Sequence, residues 1–299
     1  MSGDLTGKTF LFIGFSFADP NLEQVLSQVR QRFEKSQRQH FALLRRPKRT
    51  DFDTEEDFIY AQVSQLHYIK DLGRYNVTVL QTDDYMDVTE TLKAIEHFYR
   101  RRSIFIGGSA EDFSPWSEPE VNEFFYSLGA MLVNQGFRIV SGFGLGVGNA
   151  LISGAIDRAY ANGIHHLDDF LDVRPFPRGI ADAERRAEVW DAYRKDLLSL
   201  PGIAVFLFGN KVIDGKILLA DGLKKEFDIS REQNVLTLPV GGTGGMAEKL
   251  GKDVVANFDV YFKDSDALHK DALIALQRPR EKLNDYLSEI LAIVKALAD

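Results

Sequence analysis

RIVSGFGLGVGNALISGA, residues 138–155, passes from an apolar strand through alternating glycines into a helix. Arg138 to Val140 is the end of a strand, Gly142, Gly144, Gly146 and Gly148 alternate behind it, and Ala150, Leu151 and Ala155 begin a helical face. Absent side chains let backbone N–H groups approach a phosphate, and the helix N-terminus adds partial positive charge. The same glycines also suit a tight strand-to-helix turn that binds nothing. The spacing is G-x-G-x-G-x-G, and no acidic residue ends a following strand about twenty residues on, so the dinucleotide fingerprint is not met. Upstream, Ser103 to Ser109 (SIFIGGS) is a second strand ending in small residues, followed by a helix over 120–135 with Val121, Phe124, Phe125, Leu128, Met131 and Leu132 on one face. Strand, loop, helix, strand is the α/β repeat of a parallel sheet, which opens Gly107-Gly108-Ser109 and the glycine run on one edge.

Downstream, strands are expected at 173–175, 203–209, 235–239 and 258–262, and an amphipathic helix at 283–297 able to face its own domain or a second subunit. The buried strand at 203 ends in Phe208-Gly209-Asn210-Lys211, and a strand-end lysine offers a phosphate three donors on a point charge. Arg194 lies on the helical segment before it, and Glu226 opens the one after. Brought to one crevice, the two cations can hold a pyrophosphate and the carboxylate can accept from ribose hydroxyls. LPVGGTGG at 238–245 brings more glycine backbone to the same edge.

Toward the N-terminus, FLFIGFSFADPNL (10–22) reads as a strand, a Gly-x-Ser loop at Gly14 and Ser16, and a helix with Leu22, Val25, Leu26 and Val29 at helical spacing. A strand at 40–44, a basic surface loop Arg45 to Arg49, a helix over 58–72, a strand at 76–80 and a helix over 88–99 follow. The charged joint Arg100-Arg101-Arg102 divides the chain into 1–101 and 102–299. His165, His166, Asp168 and Asp169 lack a helical metal-ligand frame and read as a polar loop, and neither Ser109 nor Ser141 has a local histidine to make it a nucleophile.

With 299 residues, 44% hydrophobic and 27% charged, the chain has the composition of a globular protein large enough for two cores. Zero cysteines exclude disulfides, thiolate metal sites and a cysteine nucleophile. A net charge of −8 argues against nucleic acid as a partner. No apolar run is long enough for a membrane span and the first residues lack a signal-peptide pattern, so the expected location is the cytoplasm.

Residues 103 to about 270 resemble the SLOG nucleotide-sensor domain through IFIGGSA (104–110), RIVSGFGLGVGNALISGA, VFLFGNK (205–211) and LPVGGTGG. Residues 10 to about 100 resemble the C-terminal part of a sirtuin-like domain through FIGFSFADPNL (12–22). That order is the arrangement of the NAD-hydrolysing effector family of Thoeris antiphage defence. The resemblance implies a Rossmann-like parallel-sheet domain preceded by a partial α/β sirtuin-like segment. It further implies a sensor for a cyclic ADP-ribose isomer, made by a TIR-domain protein, whose binding switches on NAD hydrolysis, and a homo-oligomer of four or more subunits. The implied ligand contacts are Arg194, Lys211 and Glu226, joined by Gly107, Gly108, Ser109, Gly142, Phe143, Gly144, Leu145, Gly146, Gly209 and Asn210; Gly14 and Ser16 match part of an NAD loop. Only nine residues precede Phe10, and His40 is wrongly placed for a catalytic histidine. The expectation is therefore a chain with no catalytic residue, metal or cofactor of its own, NAD being the substrate of a longer parent. A relative of the same superfamily, the phosphoribohydrolases acting on nucleoside monophosphates, carries P-G-G-x-G-T-x-x-E. Gly241 to Gly245 with Glu248 matches it imperfectly, and a stand-alone enzyme of that kind is the alternative.

Overall fold

A computed structural model describes residues 8–14, 39–144, 146–177, 179–262 and 267–298. The chain forms two compact units, 1–95 and 96–299, and the division falls inside a helix. In the first unit, β1 (Leu11–Ile13), β2 (His40–Arg45) and β3 (Val77–Thr82) form a parallel sheet in that order. The crossover between β2 and β3 includes helix α1 (Glu55–Gly73), whose N-cap Thr54 accepts from the Asp57 N–H at 3.1 Å. Phe12, Ala42, Leu72 and Val77 are its core. His40 is part of that core: its Nδ1 accepts the Phe10 N–H at 3.1 Å and its ring meets Phe10 and Phe12 edge-on. Arg45, Arg46, Lys48 and Arg49 pair with Asp51, Asp83, Asp84 and Glu55, as a solvated face does. The next helix, α2 (Tyr85–Arg101), runs through Arg100 and Arg101, where a joint was expected. Ser16, Leu145 and the helix expected from Leu22 lie outside the described residues.

The second unit alternates strand and helix: β4 (Ser103–Ser109), α3 (Glu118–Asn134), β5 (Arg138–Ser141), α4 (Gly148–Ala161), β6 (Leu171–Val173), α5 (Ala183–Leu198) and β7 (Ile203–Phe208). A hairpin of β8 (Asn210–Ile213) and β9 (Lys216–Leu219) precedes α6 (Asp221–Glu232), β10 (Leu236–Pro239) and α7 (Gly245–Ala256). The sheet is wholly parallel in the order β10-β7-β4-β5-β6. Every residue of β7 is buried, which its unbroken apolar run IAVFLF requires of a strand covered on both faces. Because β4 and β7 are neighbours and the chain leaves them toward opposite edges, the order reverses between them, and a crevice opens outside their C-terminal ends.

Three local expectations change. The strand at 173–175 lies two residues earlier, as β6. Residues 258–262 are not a strand: Phe258–Tyr261 is one helical turn, α8, in which Phe258 and Phe262 stack as i, i+4 neighbours and both are buried while Val260 is exposed. Glu226 lies in the middle of α6 and Asp221 opens it. After α9 (Ala267–Ala275), the last helix α10 (Asp285–Ala298) buries Tyr286, Ile290, Ile293, Val294 and Leu297 in its own unit's core, so its apolar face is already occupied. No described helix is long and apolar enough to cross a membrane.

Candidate functional site

Two backbone strains mark the C-terminal edge of the second sheet. Phe143 after β5 and Phe208 at the end of β7 hold left-handed φ of 56° and 55°, a conformation costly without glycine. Phe208 is held there by Thr243, whose Oγ1 accepts its N–H at 2.8 Å and donates to the Val240 carbonyl at 2.7 Å. Gly209 then accepts from the Met246 N–H at 3.0 Å. The GGTGG segment thus braces the end of β7. Asn210 ties that end to the loop after β4: its Oδ1 accepts from the Glu111 and Asp112 N–H groups, each at 3.0 Å, and its Nδ2 donates to the Asp112 carbonyl at 2.6 Å.

Over this floor lies a cavity of about 490 Å³, with α5 as one wall. Ala183, Arg186, Ala187, Trp190 and Arg194 line it at helical spacing, a single stripe of α5. Arg194 is only 6% exposed. Its guanidinium carbon sits 4.9 Å from the centre of the Phe176 ring and 5.7 Å from that of Trp190, within cation–π range of both. Glu226 approaches its Nε to 3.8 Å and Asp191 its Nη1 to 3.4 Å. Trp190 is itself fixed, donating from Nε1 to the Pro177 carbonyl at 2.9 Å. Opposite, Lys211 on β8 donates to Asp221 Oδ2 at 2.7 Å, and Lys225 reaches Asp191 at 3.3 Å. Lys211 stands at the base of the hairpin; the turn at Asp214-Gly215 is its tip.

Of the residues expected to meet a ligand, Ser109, Arg194, Asn210 and Lys211 line the cavity. Glu226 stands behind Arg194, its side chain 13% exposed. Gly107, Gly108 and Gly209 belong to the strand ends beneath. The glycine run meets backbone: a Cβ on Gly144 would lie 2.2 Å from the Gly108 carbonyl oxygen, and one on Gly146 would lie 2.7 Å from that of Ala110. Its glycines therefore serve the packing of one strand-end loop on another. Gly142 faces Phe176, and Phe143 is exposed. Gly14, at φ 64°, ends β1 in the first unit. Arg186, Trp190, Lys225 and the supporting Phe176 were not among the expected residues, although the stripe 183/186/187/190/194 is itself a helical signal. No metal-binding cluster occurs among the described residues.

The model of the Sir2- and TIR-associating SLOG family matches residues 87–297. The chain belongs to that family. The model of the SIR2-like domain matches residues 2–69, so this SLOG-family chain joins both expected parts in the expected order. The NAD(+) hydrolase ThsA of Acinetobacter baumannii (strain 532279) is 41% identical over 305 residues, covering 100% of this chain and 62% of the relative. That of Bacillus cereus (strain MSX-D12) is 38% identical over 299 residues, again 100% and 62%. The chain thus spans less than two thirds of the length of these relatives. Among solved structures, the X-ray structure of TM1055 covers 65% of this chain and 98% of its own, with 14% identity and a TM-score of 0.40.

Burial pushes the Glu226 carboxyl up to about 7, against an opposing pull from Arg194. A folded value above the unfolded one stabilises the protein most below the unfolded value and loses that contribution as pH rises through the folded one. Wild-type stability should therefore fall, relative to Glu226→Gln, by on the order of 3 kcal/mol between pH 4 and pH 8. Urea unfolding at both pH values tests this; parallel losses in the two proteins would show that the carboxyl does not titrate there.

Proposed function

We propose that the second unit is a nucleotide sensor that binds a cyclic ADP-ribose isomer in the cavity between β4 and β7. In a longer effector this binding switches on NAD hydrolysis by the sirtuin-like domain, in antiphage defence, with the isomer made by a TIR-domain protein. The observation that carries the reading is Arg194, buried against the Phe176 and Trp190 rings at a cavity it shares with Lys211. A planar guanidinium donates bidentately to a phosphate, and a lysine adds a point charge. Trp190 offers an aromatic edge of the lining to a base or ribose. The volume falls within the range of about 300 to 1,000 Å³ usual for small-ligand sites. Assembly into a homo-oligomer belongs to the same proposal.

Calorimetric titration with cyclic ADP-ribose isomers and linear ADP-ribose is the direct test. Binding of one cyclic isomer at micromolar or tighter affinity, with linear ADP-ribose weaker, is expected; heat from none of them at tens of micromolar would sink the reading. A nucleoside monophosphate phosphoribohydrolase would instead use Glu248. That residue pairs with Lys252 on α7 and is not part of the cavity lining, so no release of ribose 5-phosphate from AMP is expected.

A further inference from the structure

The cavity carries anions of its own. Glu111 and Asp221 both line it, and both hold the β8–β9 hairpin: Glu111 Oε2 accepts the Val212 N–H at 2.5 Å, and Asp221 Oδ2 accepts from Lys211 Nζ at 2.7 Å. The hairpin itself is a two-stranded ribbon paired with no other described strand, and Val212, Ile213, Ile217, Leu218 and Leu219 are exposed on it. Ribbons of that size are marginal alone, so their contacts at the base matter.

We propose that Asp221 is a specificity-determining residue: it pairs with Lys211, and a ligand anion takes that lysine only by displacing the Asp221 carboxylate, which unpins the hairpin. The idea rests on reading the cavity as an anion site. The corner that Asp221 occupies is one an anion would favour, since it lies at the first position of α6, with Lys211 on one side and Lys225 one turn along. Its carboxyl is held below its ordinary value, first by the hydrogen bond from Lys211 and also by the charges of Lys211 and Lys225. The pair is nonetheless weak enough to exchange: the Lys211 and Asp221 side chains are 37% and 77% exposed, and ion pairs in water contribute little. A phosphate, with more charge and more acceptor oxygens than a carboxylate, wins that competition, while a singly charged carboxylate ligand gains nothing over Asp221.

Two variants with opposite effects on affinity test this. Asp221→Asn should bind inorganic pyrophosphate about three to ten times more tightly than wild type, the size expected from removing one competing, screened charge. Lys211→Gln should bind it more weakly. In the absence of any ligand, both should speed hydrogen exchange of the hairpin amides, because each removes the same pin. Equal affinity of wild type and Asp221→Asn, or hairpin exchange unchanged by both variants, overturns the proposal. If wild type shows no pyrophosphate binding, the anion-site reading fails and the competition with it, while the ligand-free exchange still decides whether the pair holds the hairpin.

Discussion

Arg194→Ala is expected to weaken binding of a cyclic ADP-ribose isomer by at least about 100-fold, the loss of roughly two charge-assisted hydrogen bonds at a desolvated site. The reason lies in how the side chain is held. Arg194 is already buried against the Phe176 and Trp190 rings, so little side-chain freedom is lost on binding. Gly222 makes room beside it, since a Cβ there would come within 3.3 Å of Arg194 Nη2. Truncation also removes the counter-charge of buried Glu226, which then titrates higher still. Arg194→Lys keeps the charge without the planar fork and should fall between, near tenfold weaker. Lys211→Ala should cost less than Arg194→Ala, because Lys211 is more exposed and exchanges one partner for another. Calorimetry on the three variants, with unfolding curves to confirm that each is folded, checks the order; an Arg194→Ala protein within threefold of wild type would remove the arginine from the site.

Why Arg194 was legible in the sequence while its neighbours were not is a matter of range. A strand such as Ile203–Phe208 announces itself through six consecutive apolar residues, and the glycines at 142–148 through composition, so sheet, edge and loop order follow from local patterns. What those glycines approach does not. Nothing local in the sequence shows that the atoms nearest the missing side chains of Gly144 and Gly146 are the carbonyls of Gly108 and Ala110, a contact between segments some 35 residues apart. Phe176 leaves no periodic trace for the same reason, because its contact with Arg194 joins a helix to the loop before it, whereas Trp190, four residues before Arg194 on the lining stripe, carries a helical signal. Phe258 to Phe262 shows a different ambiguity: Phe-x-x-x-Phe around a valine fits both the two-residue and the four-residue spacing, and the exposure of Val260 decides for the helix. The hairpin was within reach. Asp214-Gly215, between Lys211-Val212-Ile213 and Ile217-Leu218-Leu219, is a strong two-residue turn signal, and both residues have positive φ, 51° and 72°, as such a turn requires.

Gly154→Ala is expected to destabilise the second unit by about 3 kcal/mol or more, lowering its melting temperature by roughly 6–12 °C, although the substitution favours helix formation locally. Helices α3 and α4 cross at closest approach through two glycines. A Cβ on Gly154 would stand 1.9 Å from the Tyr126 carbonyl oxygen, and one on Gly129 would stand 2.1 Å from that of Leu151. Both obstacles are backbone, so no rotamer change relieves them and the helices must separate. Leu128, Leu132, Leu151 and Ala155, all essentially without solvent exposure around this crossing, would lose contact as they part. The displacement also reaches the site. Helix α4 begins at Gly148, directly behind the loop whose Gly144 and Gly146 pack on the end of β4, so moving α4 moves that loop away from Gly108 and Ala110. Ligand affinity should therefore fall along with stability, even though Gly154 does not line the cavity. Gly73→Ala, in α1 with nothing beyond its chain neighbours and its own helix backbone within 4 Å of the added carbon, serves as the control and should be nearly neutral. Thermal unfolding of the two variants beside wild type decides: if Gly154→Ala melts within 2 °C of wild type, the glycine is not what sets the separation of α3 and α4.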